Sequence, residues 1–310
     1  MSRIPPEIKT VGVVGLGNMG APMAANLVRA GYTVLVFDID VARAERAASE
    51  IGARAIADLE ELGRSAEAVV TMLPTGRDVH QVLLEAQAGA LAAALRPGSV
   101  VIDMSSSDPV GTRALGSLLA ARSLALVDAP VSGGVPRARD GTLAIMIGGE
   151  PAVIARVKPV LAALGNRLFE VGTLGCGHAM KALNNFLAAT GFAAAAEAMS
   201  VGRRFGLDPA IMIDVVNVST GRNFSTESTI KQQVLTGDFA SGFGLVCWPR
   251  TSRLPPISPM PSASRLRSVV LFAISGRKRA TTSAVTAITR ALPKHGRANA
   301  CVARRNNRRS

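Results

Sequence analysis

The sequence predicts an α/β fold, a doubly wound parallel sheet with helices on both faces, followed by an all-helical C-terminal domain. Three observations predict it. Short apolar runs alternate with helical stretches along the first 170 or so residues, as they do where βα units build a parallel sheet. The first unit places a glycine-rich turn between its strand and its helix. Beyond Lys181 the chain becomes Ala-rich and helical, with no further strand-like run before residue 244.

The first element is the run Val11 to Val14, short and apolar like a buried parallel strand. Gly15, Gly17 and Gly20 follow as GxGxxG, and APMAANLVRAG then keeps a helical period up to a stop at Gly31. Each glycine has a physical task in a dinucleotide-binding, Rossmann-type unit. Gly15 allows the tight turn, Gly17 lets a pyrophosphate approach the backbone, and Gly20 lets helix and strand pack closely. The free N–H groups at the helix start, with the positive end of its dipole, attract the phosphates. Gly15, Leu16, Gly17, Asn18, Met19 and Gly20 are therefore the expected cofactor loop. TVLVFD is the second strand and ends in Asp38, 18 residues past Gly20, where an acid typically holds the adenosine ribose hydroxyls. Asp38 would repel a 2′-phosphate, and Ile39, Asp40 and Val41 supply no arginine to bind one. The expected cofactor is NAD, with Arg43 leaving NADP as an alternative.

Further βα units come in order. AEAVVTMLPTGRDVHQVL reads as a strand, a loop at Leu73–Pro74 and a helix; GSVVIDMSSSDPVGTRAL reads as a strand, a Ser-rich loop and a helix opening near Pro109. LALVDAP is another strand. Ligands are expected at the carboxyl ends of these strands.

Three separated motifs, VVGLGNMGAPMAANL, DAPVSGGVPRARDGTLAIMIGG and GTLGCGHAMKALNN, resemble in kind, order and spacing the signatures of the β-hydroxyacid dehydrogenases. That family includes 3-hydroxyisobutyrate dehydrogenase and tartronate semialdehyde reductase, and the resemblance spans roughly residues 9–244. It implies an oxidoreductase that transfers a hydride between NAD and a small β-hydroxyacid, most like 3-hydroxyisobutyrate dehydrogenase. It also places Leu73 and Pro74 near the cofactor and Ser105 near the nicotinamide ribose.

The remaining site residues make chemical sense on their own. Ser132, Gly133 and Gly134 end a strand and offer a hydroxyl and two flexible amides, enough for an anion nest that holds a substrate carboxylate. Lys181 lies on an Ala-rich helix with Asn185 four residues on, on the same face, and Asn184 as a second candidate. Partial burial on such a helix lowers a lysine's pKa, which suits an acid/base. The resemblance gives Lys181 that role and gives Asn185 a share in holding substrate. Arg137 and Arg139 read as solvated loop charges, with recognition of an anionic substrate as the alternative.

The helical part continues through AAAAEAMSVGRRFGLDPAIMIDVVNVSTG, with a junction at Gly206–Leu207–Asp208–Pro209. The expected layout is residues 1–172 for NAD binding and 173–244 for the interdomain helix and the start of a helical substrate and dimerisation domain. Residues 245–310 form a basic Pro/Ser/Arg-rich tail expected to be poorly ordered. Residues 1–244 carry 21 Lys/Arg against 22 Asp/Glu, whereas 245–310 carry 14 Lys/Arg and no acid, although about six acids are expected there at ordinary usage. The net charge of +13 thus comes from the tail alone, which lacks the aromatic interleaving of a nucleic-acid surface. The family pattern next requires a helix opening with Lys-Asp-Leu, where this chain has LVCWPRTSRLPPISP. Trp248 to Ser252 can be encoded by TGG CCA AGG ACC TCG, which two bases later reads Ala-Lys-Asp-Leu; this predicts a frameshift near Gly244 that disrupts the helical domain.

Cys176, Cys247 and Cys301 are dispersed, and His80, His178 and His295 are isolated, so no metal site is expected. No apolar run is long enough to cross a bilayer and no signal peptide precedes Val11, so a cytoplasmic protein is expected. The partners expected are a small hydroxyacid and, in the family, a second copy of the chain; no membrane or nucleic acid is expected. Two rival readings remain: an NADPH-dependent tartronate semialdehyde reductase, and a non-catalytic or inactive nucleotide-binding relative with a disrupted C-terminal domain.

Overall fold

Alternation along each strand sends side chains to opposite faces, and both faces here are apolar. The computed structural model describes residues 7–85 and 91–236. Its strands are β1 (Thr10–Val14), β2 (Thr33–Phe37), β3 (Arg54–Ala55), β4 (Ala68–Thr71), β5 (Val100–Asp103), β6 (Ala125–Asp128), β7 (Val131–Ser132), β8 (Ala144–Gly148) and β9 (Arg167–Gly172). The helices are α1 (Gly20–Arg29), α2 (Val41–Ile51), α3 (Leu59–Ser65), α4 (Gly76–His80), α5 (Leu91–Ala94), α6 (Pro109–Ala120), α7 (Gly134–Asp140), α8 (Pro151–Ala162), α9 (Cys176–Arg204) and α10 (Pro209–Asn217). π-helical turns occupy Gln81–Glu85 and Ser225–Val234.

The sheet runs β3-β2-β1-β4-β5-β6 in parallel, so the chain reverses its direction of growth between β1 and β4. Ligands of doubly wound sheets bind outside the strand ends at such a point. Val11, Val13, Val34, Val36, Val70 and Ile102 pack on one face with Met23 and Leu27 of α1 and Val157 of α8. Val14, Leu35, Val69 and Val101 pack on the other with Leu62 of α3 and Leu115 and Leu119 of α6. Helices therefore cover both sides, as the alternating pattern predicts.

The far edge differs from a purely parallel sheet. Strand β8 pairs antiparallel with β6 and β7, and β9 pairs parallel with β8. These strands give little local signal, because β7 has two residues and β9 is largely exposed.

Helix α9 leaves the sheet and runs for 29 residues. Phe205 and Gly206 end it, Gly206 at φ +85°, and Asp208 caps α10 by accepting from the N–H groups of Ala210 and Ile211 with Pro209 in the first turn. Met199, Ile213 and Ile230 join α9, α10 and the second π-helical turn in a small separate core. The sequence-predicted junction falls at this point. The predicted tail, including Cys247, Cys301, His295 and the candidate frameshift, lies outside the described residues.

Candidate active site

One register row crosses the sheet: Phe37, Val14, Thr71, Asp103 and Asp128 are paired neighbours on β2, β1, β4, β5 and β6. Every cofactor residue expected from the sequence lies at or within a few positions past this row. Asp38 follows β2, Gly15 to Gly20 follow β1, Leu73 and Pro74 follow β4, and Ser105 follows β5. Ser132, Gly133 and Gly134 come a few residues after β6. The sheet brings them to one edge.

Gly15 sits at φ +94°, and a Cβ there would lie 2.5 Å from the Met72 carbonyl oxygen. The loops after β1 and β4 therefore touch at the reversal point. A Cβ on Gly20 would overlap the Gly15 carbonyl, so this glycine lets α1 start directly against the turn. Gly17 has open space where a side chain would go. The N–H groups of Gly17, Asn18 and Met19 donate to nothing among the described residues, and Met19 caps α1 without a side-chain hydrogen bond. Orphan donors at a helix start beside open space fit a dinucleotide pyrophosphate.

Asp38 is buried, and its two carboxylate oxygens are divided. Oδ2 accepts from the Leu16 N–H at 2.8 Å, while Oδ1 accepts from the Asp40 N–H at 2.9 Å and from Arg43 Nη1 at 3.1 Å. Lone-pair capacity remains for a ribose hydroxyl. Arg43 is half-exposed and also pairs with Asp40 at 3.2 Å, so both acids at the end of β2 engage it.

Ser105 is buried, and its hydroxyl is committed to backbone. It accepts from the Leu73 N–H at 3.0 Å and lies 3.4 Å from the Thr71 carbonyl, stitching the loops after β4 and β5 together. Asp103 organises the same corner: it accepts from the Thr71 hydroxyl, the Ser105 N–H and the Ser107 hydroxyl at 2.8–3.0 Å.

Gly133, at φ +131°, and Gly134, at φ +66°, adopt conformations that favour glycine, and the Gly133 N–H donates to nothing among the described residues. Ser132 is half-buried beside them. Arg137 and Arg139 are exposed on α7, in keeping with solvated charges.

Lys181 is partly buried in the second turn of α9, and among the described residues no carboxylate pairs with it. Burial holds its amine below the ordinary lysine pKa. Asn185 is buried one turn on, and Asn184 contacts it at 3.5 Å. The hollow of about 470 Å³ lined by Phe192, Met199, Arg203 and Ile230 lies further along α9, apart from these residues.

The start of α9 holds what spacing alone did not reveal. Its capping residue Gly175 has no side chain, and Asp128 at the end of β6 supplies the cap from 47 residues away. Asp128 accepts from the Gly175 N–H through Oδ1 and from the His178 N–H through Oδ2, both at 2.7 Å. Burial pushes the Asp128 pKa up, opposed by the nearby His178 and by these N–H bonds. His178, read from the sequence as an isolated histidine, is fully buried between Thr112, Ser105, Asp103 and Asp128. The Asp128–Ala129–Pro130 stretch was the available signal for the cap. Nothing in the spacing pointed to His178.

Residues 10–172 match the family model described as the NAD binding domain of 6-phosphogluconate dehydrogenase, and residues 175–247 match one described as NAD-binding of NADP-dependent 3-hydroxyisobutyrate dehydrogenase. The chain is 36% identical over 235 residues to 2-(hydroxymethyl)glutarate dehydrogenase of Eubacterium barkeri, covering 76% of this chain and 77% of the relative. It is 37% identical over 239 residues to 3-hydroxyisobutyrate dehydrogenase of Pseudomonas aeruginosa, covering 75% and 79%. It is 34% identical over 242 residues to NAD-dependent L-serine dehydrogenase of the same organism, covering 76% and 80%. The solved structure of Mycobacterium tuberculosis 3-hydroxyisobutyrate dehydrogenase with L-serine superposes with a TM-score of 0.72 at 30% identity, covering 92% of each chain. With the glycine loop, the strand-end row and Lys181 in place, these matches make the chain a member of the β-hydroxyacid dehydrogenase family, the NAD(P)-dependent oxidoreductases of small hydroxyacids.

Proposed function

We propose that this chain oxidises a small β-hydroxyacid reversibly to its semialdehyde, with NAD as cofactor and in the manner of 3-hydroxyisobutyrate dehydrogenase. The observation that carries the reading is Lys181. It is a partly buried amine with a lowered pKa and no carboxylate partner among the described residues, on the helix anchored to the strand ends. Its Nζ takes the substrate hydroxyl proton in oxidation and returns it in reduction. The Ser132 hydroxyl, the Gly133 and Gly134 amides and Asn185 hold the carboxylate, with Asn184 beside them. Gly15 to Gly20 cradle the pyrophosphate, Asp38 takes the adenosine ribose, and Leu73, Pro74 and Ser105 flank the nicotinamide end. NAD, when bound, supplies the oxidising equivalent. In this reading residues 1–172 bind the cofactor and 173–244 begin the helical part.

The substrates named for the relatives share one fragment. 2-(Hydroxymethyl)glutarate, 3-hydroxyisobutyrate and L-serine are all 3-hydroxypropanoates with one substituent at C2. A primary alcohol two carbons from a carboxylate fits a site with one acid/base and one anion nest. Arg43 supports a second reading, an NADPH-dependent tartronate semialdehyde reductase, because its guanidinium pairs at 3.1 Å with Asp38, the acid proposed for the adenosine ribose. A homo-oligomer belongs to the proposal too, supported by apolar side chains that α9 and α10 expose, such as Leu187, Val201 and Ile211.

Initial rates decide between these. Faster NAD-linked oxidation of 3-hydroxyisobutyrate or L-serine supports the first reading, and faster NADPH-linked reduction of tartronate semialdehyde supports the second. No turnover with either pair overturns both.

A further inference from the structure

We propose that His178 is a positioning residue: it ties the start of α9 to the loop after β5 and thereby sets Lys181 in register with the cofactor edge of the sheet. This rests on the reading of Lys181 as the acid/base.

His178 is 1% exposed, and a buried imidazole requires partners for both nitrogens. Nε2 lies 3.1 Å from the Ser105 carbonyl oxygen, which can only accept, so Nε2 carries a hydrogen and donates it. Nδ1 is hydrogen bonded to the Thr112 hydroxyl of α6 at 2.8 Å. Two carboxylates flank the ring, Asp103 Oδ2 3.7 Å from Nε2 and Asp128 Oδ2 3.7 Å from Nδ1. Both are engaged elsewhere. Asp128 holds the N–H groups of Gly175 and His178, and Asp103 holds the loops after β4 and β5.

A continuous path results. The Leu73 N–H donates to the Ser105 hydroxyl, and the Ser105 carbonyl receives His178 Nε2–H. His178 stands three residues before Lys181, so their side chains are neighbours on the helix surface. Asp128 fixes where α9 begins through two main-chain bonds at the helix tip. The imidazole reaches sideways from the helix to α6 and to the loop after β5, and so resists rotation of α9 about its own axis. A Leu of similar size would fill the space but would leave the Ser105 carbonyl and the Thr112 hydroxyl without this partner. The rotation matters because misplacement of a reacting group by about 1 Å costs on the order of 100-fold in rate.

Two variants separate the arms of the ring. His178→Asn keeps an amide nitrogen at the place of Nδ1 and loses the Ser105 arm; His178→Gln puts its amide nitrogen at the place of Nε2 and keeps that arm. The expected result is that His178→Asn lowers kcat on the order of 100-fold with NAD affinity within about threefold, and that His178→Gln recovers most of the loss. A second readout needs no turnover: acylation of Lys181 by acetic anhydride against pH, followed by peptide mass spectrometry with Lys9, Lys158 and Lys231 as references. Lys181 should titrate below the reference lysines in the parent chain, move towards them in His178→Asn, and stay low in His178→Gln. The proposal is overturned if Lys181 titrates alike in all three proteins, or if both variants lose activity in step with thermal stability. A parent chain that turns over no hydroxyacid would sink the functional reading instead, and the acylation profiles would still decide this inference.

Discussion

Lys181 stands or falls on burial. A lysine on an exposed helix face is a solvated ammonium, whereas this one sits beside buried Ala182 and one turn from buried Asn185, and its pKa is lowered for that reason alone. The free amine is the base in oxidation and the ammonium is the acid in reduction. Oxidation should therefore rise with pH through a limb below the ordinary lysine range, and reduction should fall through the same limb. Rate profiles in both directions check this, and limbs that fail to mirror one another would refute a shared group. At this scale much was legible. Gly15, Gly17, Gly20 and Asp38 announce themselves through fixed spacing within one βα unit, whereas Lys181 and Asn185 share a helix face by their spacing but draw their expected roles from the family resemblance. His178 was not legible, because its partners Ser105, Thr112, Asp103 and Asp128 stand 50 to 75 residues away along the chain. The hydroxyl of Ser105 is likewise turned into the protein by its bond to Leu73, a direction that no motif encodes.

Among the elements, α9 links the two parts of the site, and its anchorage depends on Asp128. Removing that carboxylate leaves two buried N–H groups without an acceptor and strips the negative charge from the helix start. Asp128→Ala should cost about 2–4 kcal/mol, read as a lower urea midpoint with the slope unchanged. A loss below about 0.5 kcal/mol, the range of ordinary surface substitutions, would show that the cap is dispensable. The closeness of this joint also explains two glycines. A Cβ on Gly148 or Gly177 would lie within 2.9 Å of an Asp128 carboxylate oxygen, so β8 and α9 can meet the carboxylate only without side chains there. Of the six parallel strands β1 to β6, all but the two-residue β3 were readable as apolar runs. Strands β7 to β9 were not, because their pairing is long-range and β9 does not alternate cleanly between buried and exposed residues.

The whole molecule joins a charge-balanced dehydrogenase sequence to a segment of different composition. The last 66 residues hold 14 Lys/Arg and no acid, and the second family model stops matching at residue 247, three residues after Gly244. The described part keeps the complete strand-end row, the orphan amides of the cofactor loop and the Lys181 helix. We propose that these suffice for an NAD-linked hydroxyacid dehydrogenase with Lys181 as its acid/base. The most direct test compares the chain with Lys181→Ala in two assays, NADH formation from a 2-substituted 3-hydroxypropanoate and NAD binding by calorimetry. Turnover should fall at least about 1,000-fold, the upper range of acid/base contributions, while the NAD dissociation constant stays within about threefold. Undiminished NADH formation by Lys181→Ala would rule Lys181 out as the acid/base.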